Sequence, residues 1–260
     1  MTEQPKIITD TRHDIGIIII HNPAKKNAVN NLLLQSMNQA LLEMADKQLR
    51  AIIIRGSDGN TFCAGYDINH FPQGKFKAET YDLDNDFMTQ TMATMTHLDI
   101  PLIAMVNGHC FGAGVDIASA CDFRYGAKGF KFGVPAAKLG IIYSPEGIRR
   151  LINLIGLPKA KEIMLLGNFI STEKACELGF FNQLTDLNHL EDLCFKVADQ
   201  LIRNAPLAVI GMKQIFRFLS EHEELAESRH QQTLQMREAA FQSKDAKEAI
   251  KKGVKSPVGP

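Results

Sequence analysis

The sequence predicts an α/β fold built on a parallel sheet, and three observations carry that expectation. Two β-branched runs, Ile15–His21 and Ala51–Arg55, flank an amphipathic helical segment, the strand–helix–strand order that gives parallel pairing. A further apolar run, Leu102–Val106, ends at the turn signal Asn107-Gly108 and leads into a small, helix-compatible stretch from Ala113 to Ala120. Beyond Pro158 the pattern is mostly helical, so a boundary near residue 200 separates a core, 1–200, from a helical C-terminal region, 201–260.

Taken in order, Ile7–Thr9 and Ile15–His21, separated by Asp14 and Gly16, read as an opening hairpin. The polar turn NPAKKNAVN follows. Its Asn30 is placed to cap a helix in which Leu33, Met37, Ala40, Leu41 and Met44 keep the i, i+4, i+7, i+8 spacing of one buried face. Ser57-Asp58-Gly59-Asn60 is a turn, and TFCAGYD, 61–67, runs from an apolar start into a glycine. Residues 70–80, rich in breakers and charge, are expected to form a surface loop and a candidate lid. Thr80–Leu98 is helical and stopped by Pro101. After the strand Phe123–Tyr125 and the glycine-bounded segment 129–140 comes SPEGIRRLINLIG, with Ser144 as cap, Pro145 at the first helical position, Glu146 in the first turn and Gly156 at the end. Leu157-Pro158, Ser171-Thr172 and Ala205-Pro206 start further helices, and Gly179 is a break. Leu207–Leu219 is apolar with helical period, and Gln231–Lys252 is charged and amphipathic.

Composition narrows the function. The 260 residues are 45% hydrophobic and 22% charged, ordinary for a soluble domain with a substantial core. Lys+Arg 29 balance Asp+Glu 29, so bulk charge makes no case for nucleic acid or an anionic membrane as partner. The five cysteines, Cys63, Cys110, Cys121, Cys176 and Cys194, are odd in number and lack CxxC spacing, against a disulfide framework or a metal site. No apolar run reaches ~18 residues and no signal-like start precedes the core. The expected location is therefore a reducing cytoplasm.

The glycines carry the chemistry. Gly108, Gly112 and Gly114 lie between a predicted strand and a predicted helix, where the absence of Cβ allows close approach to the backbone. Helix-start N–H groups lack intrahelical partners and can face an anion. A second turn, Ala64-Gly65-Tyr66, also follows a predicted strand. If both strands are neighbours in one parallel sheet, the N–H groups of Tyr66 and Ala113 can meet at one oxygen; equally, both can be tight turns whose glycines serve packing. The spacing G-x-x-x-G-x-G fits neither a dinucleotide fingerprint nor a P-loop. Gly108-x-Cys110-x-Gly112 is a thiol version of a nucleophile elbow, which requires a histidine partner; the alternative is a buried structural thiol.

Several motifs in order resemble the crotonase superfamily, the enoyl-CoA hydratase/isomerase fold. NPAKKNAVN is similar to N-P-x-x-x-N-A-x-N, FCAGYDI to F-x-A-G-x-D-[LI], and VNGHCFGAGVDIASACDFRY to V-N-G-x-x-x-G-G-G-x-E-L-x-x-x-C-D. FGVPAAKLGIIYSPEGIRRL matches the following region, and FQSKDAKEAI the closing F-x-S-x-D-x-x-E-[GA]. The resemblance implies a spiral of repeated ββα units, a helical trimerisation region at the C-terminus, and a homotrimer or a dimer of trimers. It implies an acyl-CoA thioester substrate whose carbonyl becomes an enolate held by the backbone N–H groups of Tyr66 and Ala113. Coenzyme A is then part of the substrate, with no separate cofactor and no metal. Its adenine and pantetheine fall near Lys26, Ala28, Ala64, Asp67 and Ile68, although Lys26 reads equally as a solvated turn lysine and Asp67 as a helix cap.

Departures from the family pattern bear on the reaction. Hydratases of the family hold a water between two glutamates; here those positions are Asp116 and Ala136. Glu146, in Pro145-Glu146-Gly147, instead resembles the base of the Δ3,Δ2-enoyl-CoA isomerases. One carboxylate suffices for that reaction, and Ile141, Ile142 and Ile148 are available to bury it and raise its pKa. The favoured expectation is isomerisation with Glu146 as acid/base; both Glu146 and Asp116 also read as helix-start charges complementing the dipole. Alternatives are a hydratase using Asp116, a decarboxylase whose cage includes Tyr143, and an acyl-CoA-binding protein without turnover.

Overall fold

The computed structural model describes residues 4–67, 86–139 and 142–221. The candidate lid at 70–80 and the segment 231–252 lie outside the described residues.

Strands β1 (Lys6–Arg12) and β2 (Ile15–His21) form the expected antiparallel hairpin. Helix α1 (Asn31–Asp46) follows, with the Asn30 side chain accepting from the Leu33 N–H and Leu33, Leu34, Met37, Ala40, Leu41 and Met44 buried. Strand β3 (Ala51–Gly56) then pairs parallel with β2, completing the βαβ unit.

From here the chain repeats itself. The first unit is β3, β4 (Thr61–Cys63) and α2 (Phe87–His97). The second is β5 (Leu102–Val106), β6 (His109–Phe111) and α3 (Ala113–Ala120). The third is β7 (Phe123–Ala127), β8 (Lys131–Gly133) and α4 (Pro145–Ile155). Each unit gives its first strand to one sheet and its second to another. Helices α5 (Leu157–Leu166), α6 (Thr172–Glu177), α7 (Leu187–Arg203) and α8 (Pro206–Glu221) and strands β9 (Ile170–Ser171) and β10 (Gln183–Thr185) complete the described chain. The six-stranded sheet runs β1-β2-β3-β5-β7-β10 and the four-stranded one β4-β6-β8-β9.

In the large sheet, alternate residues of β3 supply opposite layers: Ile52 and Ile54 join the main core with Leu34, Met37 and Phe62, while Ala51 and Ile53 meet Leu190, Cys194 and Ala198 of α7. A parallel sheet covered on both faces reads as a continuous apolar run, as AIIIR does. The two sheets meet without clearance. A Cβ on Gly108 would stand 2.2 Å from the Asn60 carbonyl carbon, so the turn after β5 must be glycine to pass over the turn before β4. Buried asparagines tie these turns down. Asn107 accepts from the Gly56 N–H and donates to the carbonyls of Gly56 and Asp58, and Asn27 donates to the Thr61 carbonyl.

Candidate active site

Strands β4 and β6 are parallel neighbours, with Thr61 opposite His109 and Cys63 opposite Cys110. The turns that follow them therefore leave the small sheet on the same side, although the neighbour of β4 is β6 and not the predicted strand Leu102–Val106, which lies in the large sheet. They touch: a Cβ on Gly65 would lie 3.4 Å from the Phe111 carbonyl oxygen and 3.9 Å from the Ala113 nitrogen. Gly65 (φ +112°) and Gly112 (φ +48°) both take conformations that L side chains rarely adopt. A Cβ on Gly114 would stand 2.6 Å from the Cys63 carbonyl oxygen, so α3 could not approach β4 this closely with any larger residue.

Backbone bonds fix the direction of both turn peptides. The Gly65 carbonyl accepts from the Val29 N–H at 2.9 Å. Because the peptide is trans, the Tyr66 N–H points the opposite way. The Gly112 carbonyl accepts from the Asp116 N–H at 3.2 Å and from the Tyr143 hydroxyl at 2.8 Å, which turns the Ala113 N–H away from both. Ala113 is the first residue of α3, and among the described residues its N–H has no acceptor.

Asp116 is 4% exposed, and both Nε and Nη2 of Arg150 donate to its Oδ1, at 3.1 and 2.7 Å. Burial holds its carboxyl above the usual range; Arg150 opposes that, and the negative charge of Glu146 adds to it. Asp116 is thus a clamped ion rather than only a charge at a helix start. Glu146 lies close enough to perturb Asp116, on the first turn of α4, which the Ser144 side chain caps by accepting from the Gly147 N–H. The expected apolar burial of Glu146 is corrected: the residue is exposed, and Ile142, 94% exposed, offers it no cover. Residue 141 lies outside the described residues. The buried residues of α4 are Gly147, Leu151 and Ile155, and of the expected apolar cover only Ile148 is half-buried.

The segment 22–29 runs beside 64–67, joined by a parallel bridge between Val29 and Tyr66. The Lys26 carbonyl accepts from the Ala64 N–H and the Val29 carbonyl from the Asp67 N–H. Lys26, Ala28, Ala64, Tyr66 and Asp67 are therefore brought together, while Ile68 lies outside the described residues. Lys26 is exposed in a left-handed turn; the neighbouring Lys25 is the one that pairs with buried Asp67, Nζ to Oδ2 at 2.5 Å. Asp67 accordingly serves first as the anchor of this turn. Arg150 and Lys25 were not among the expected site residues. Arg150 had a signal, being a charge one turn after Glu146 and adjacent to the buried stripe of α4.

The thiol-elbow alternative fails. Cys110 is fully buried, its thiol is pushed well above its usual value by burial, and among the described residues the ionisable groups that influence it are Cys63 and Cys121, with no histidine. The same burial pushes Cys63, Cys121 and Cys194 up to about 12. The thiolate is the reactive form, so these four thiols should resist iodoacetamide at pH 8 in the native protein and react once it is unfolded. Intact mass after labelling checks this; rapid native alkylation at Cys110 would contradict it.

Residues 10–256 match the family model described as enoyl-CoA hydratase/isomerase. A carnitinyl-CoA dehydratase of Salmonella enteritidis PT4 is 35% identical over 215 residues, covering 81% of this chain and 80% of the relative. Among solved structures, an enoyl-CoA hydratase/carnithine racemase from Magnetospirillum magneticum is similar with a TM-score of 0.86 at 24% identity, covering 94% of this chain and 91% of the other. An enoyl-CoA hydratase from Bacillus anthracis is similar with a TM-score of 0.79 at 26% identity, covering 94% of each. The crotonase-like spiral of ββα units is the fold these neighbours share.

Proposed function

The chain belongs to the enoyl-CoA hydratase/isomerase family, and we propose that within it this protein isomerises a 3-enoyl-CoA thioester to the 2-enoyl isomer with Glu146 as acid/base. The observation that carries this reading is the unequal state of the two site carboxylates. Asp116 is committed to Arg150, whereas Glu146 is exposed beside it with no ion pair among the described residues. Ala136 adds no third carboxylate, so one mobile acid/base group remains, the number a 1,3-proton shift needs.

In this mechanism Glu146 takes a proton from C2. The electron pair passes into the thioester carbonyl, whose oxygen sits between the N–H groups of Tyr66 and Ala113. The proton then returns from Glu146 to C4 as the double bond moves to C2–C3. The pantetheine lies along 25–29 and 64–67, with Lys26 facing phosphate. A bound acyl chain would exclude water from Glu146 and strengthen it as a base, the role first expected of its neighbours in sequence. Assembly into trimers, and trimers into hexamers, belongs to the proposal; exposed Met212 and Phe216 on α8, 52% and 69% accessible, support a buried role for that helix. Among the described residues no helix is long and apolar enough to cross a membrane.

A second reading, reversible hydration, is favoured by the dehydratase relative and by the electrostatic coupling of Asp116 to Glu146. Turnover of 3-enoyl-, 2-enoyl- and malonyl-type CoA thioesters separates the readings. Isomerisation of the 3-enoyl thioester, lowered ~10²–10⁴-fold in Glu146→Gln, is the expected result. Normal isomerisation by that variant would overturn the assignment of the base. Hydration of the 2-enoyl thioester that is lost in Asp116→Asn would favour the hydro-lyase, and decarboxylation of the malonyl type would favour the decarboxylase.

A further inference from the structure

We infer that Tyr143 is a positioning residue for the oxyanion donor at Ala113, acting through the peptide that carries it. The inference rests on the reading of Ala113 proposed above. The Gly112 carbonyl, which the Tyr143 hydroxyl meets at 2.8 Å, and the Ala113 N–H belong to one peptide unit. A carbonyl can only accept, so the phenol donates. Donation to a peptide oxygen draws electron density out of the amide nitrogen and makes its N–H more positive, the polarisation that strengthens chained hydrogen bonds. It also holds the plane of the peptide. Gly112 has φ +48° and ψ −115°; its N–H donates to the Gly133 carbonyl at 3.0 Å, and its carbonyl is held on one side by the Asp116 N–H and on the other by Tyr143.

The surroundings are arranged for this contact. A Cβ on Gly147 would stand 2.7 Å from Cε1 and 2.9 Å from Cδ1 of Tyr143, so the glycine of the Pro145-Glu146-Gly147 turn is what lets the ring lie on the start of α4. Burial and the nearby Asp116 hold the phenol well above its usual pKa, so it keeps the proton it donates. The hydroxyl is engaged with the backbone, which is a different use of Tyr143 from caging a departing carboxylate.

The test compares wild type, Tyr143→Phe and Gly147→Ala, with Ala113→Pro as the control for the underlying reading. For whichever CoA thioester the protein turns over, Tyr143→Phe should lower kcat ~3–30-fold with KM changed less than about threefold, because an enolate needs the donor more than a neutral carbonyl does. The carbonyl stretch of a bound, ¹³C-labelled acyl-CoA should move back toward its frequency in water. Gly147→Ala, which displaces the ring, should do the same. Replacing Tyr143 with 3-fluorotyrosine, a stronger donor, should shift the stretch further from the water value than tyrosine does. An unchanged stretch and kcat in Tyr143→Phe, with both altered in Ala113→Pro, would overturn the inference and leave the oxyanion reading standing. An unaltered Ala113→Pro would instead remove the reading on which it rests.

Discussion

Ala113→Pro should lower turnover ~10²–10³-fold while the protein stays folded. The substitution replaces one N–H by the ring carbon Cδ, so it removes the donor and also narrows the place the thioester oxygen would take. Ala113 is the first residue of α3, where proline is well tolerated because its φ suits the helix and its missing N–H serves no intrahelical bond. Among the described residues that N–H has no acceptor, so deleting it breaks no bond of the folded chain. The loss should appear in kcat, with the far-ultraviolet circular dichroism and unfolding midpoint near those of the wild type. Full activity in the folded variant would show that charge does not develop opposite residue 113.

Arg150→Met should destabilise the protein by about 3–5 kcal/mol at pH 8, the usual cost of leaving one partner of a buried ion pair behind. The sign of its pH dependence follows from Asp116. Burial already raises that carboxyl, and Arg150 is the influence that opposes the rise. Without the guanidinium the folded-state pKa climbs further above the unfolded value. A group shifted in this direction stabilises the fold below its unfolded pKa and loses that contribution as pH rises through the folded one. The deficit should therefore be smaller at pH 5 than at pH 8, because the protonated share of a raised carboxyl grows as pH falls. Replacing both partners by apolar residues, Asp116→Leu with Arg150→Met, should recover much of the loss. Urea unfolding at the two pH values measures it; an equal loss at both would mean that Asp116 is not the group left unpaired.

The large sheet was legible because its strands are long enough to show their character. Ile15–His21 and Ala51–Arg55 are nearly unbroken apolar runs, and the α1 face follows a strict helical spacing. The small sheet was not, since β4, β6 and β8 have three residues each and no period can be read from so few. Of these only the stretch before Ala64 was read as a strand from its residues; β6 and β8 were not, beyond the repeated ββα units that the resemblance implies. The two turns of the site were legible as glycine patterns, conditional on neighbouring strands; the neighbour of β4 is β6, a strand not expected, while the expected Leu102–Val106 joins the large sheet.

What the chain order concealed was which side chains meet across it. Asp116 read as a helix-start charge, yet its partner lies 34 residues on, at Arg150. Ile142 stands near Glu146 in sequence but faces solvent, while the next residue, Tyr143, is the one that packs on the first turn of α4. Lys25 rather than Lys26 turns inward to Asp67, since the left-handed conformation at Lys26 directs that side chain outward. The asparagines of NPAKKN and VNG read as turn residues and prove to be buried bolts between the sheets.

The most direct measurement is a crystal structure with acetoacetyl-CoA, whose acidic C2 allows the thioester to be captured as its enolate. The account predicts the thioester oxygen ~2.7–3.1 Å from both the Tyr66 and the Ala113 backbone nitrogens, with the pantetheine beside residues 25–29. A thioester oxygen bound by other donors, with these two N–H groups facing solvent or protein, would contradict it.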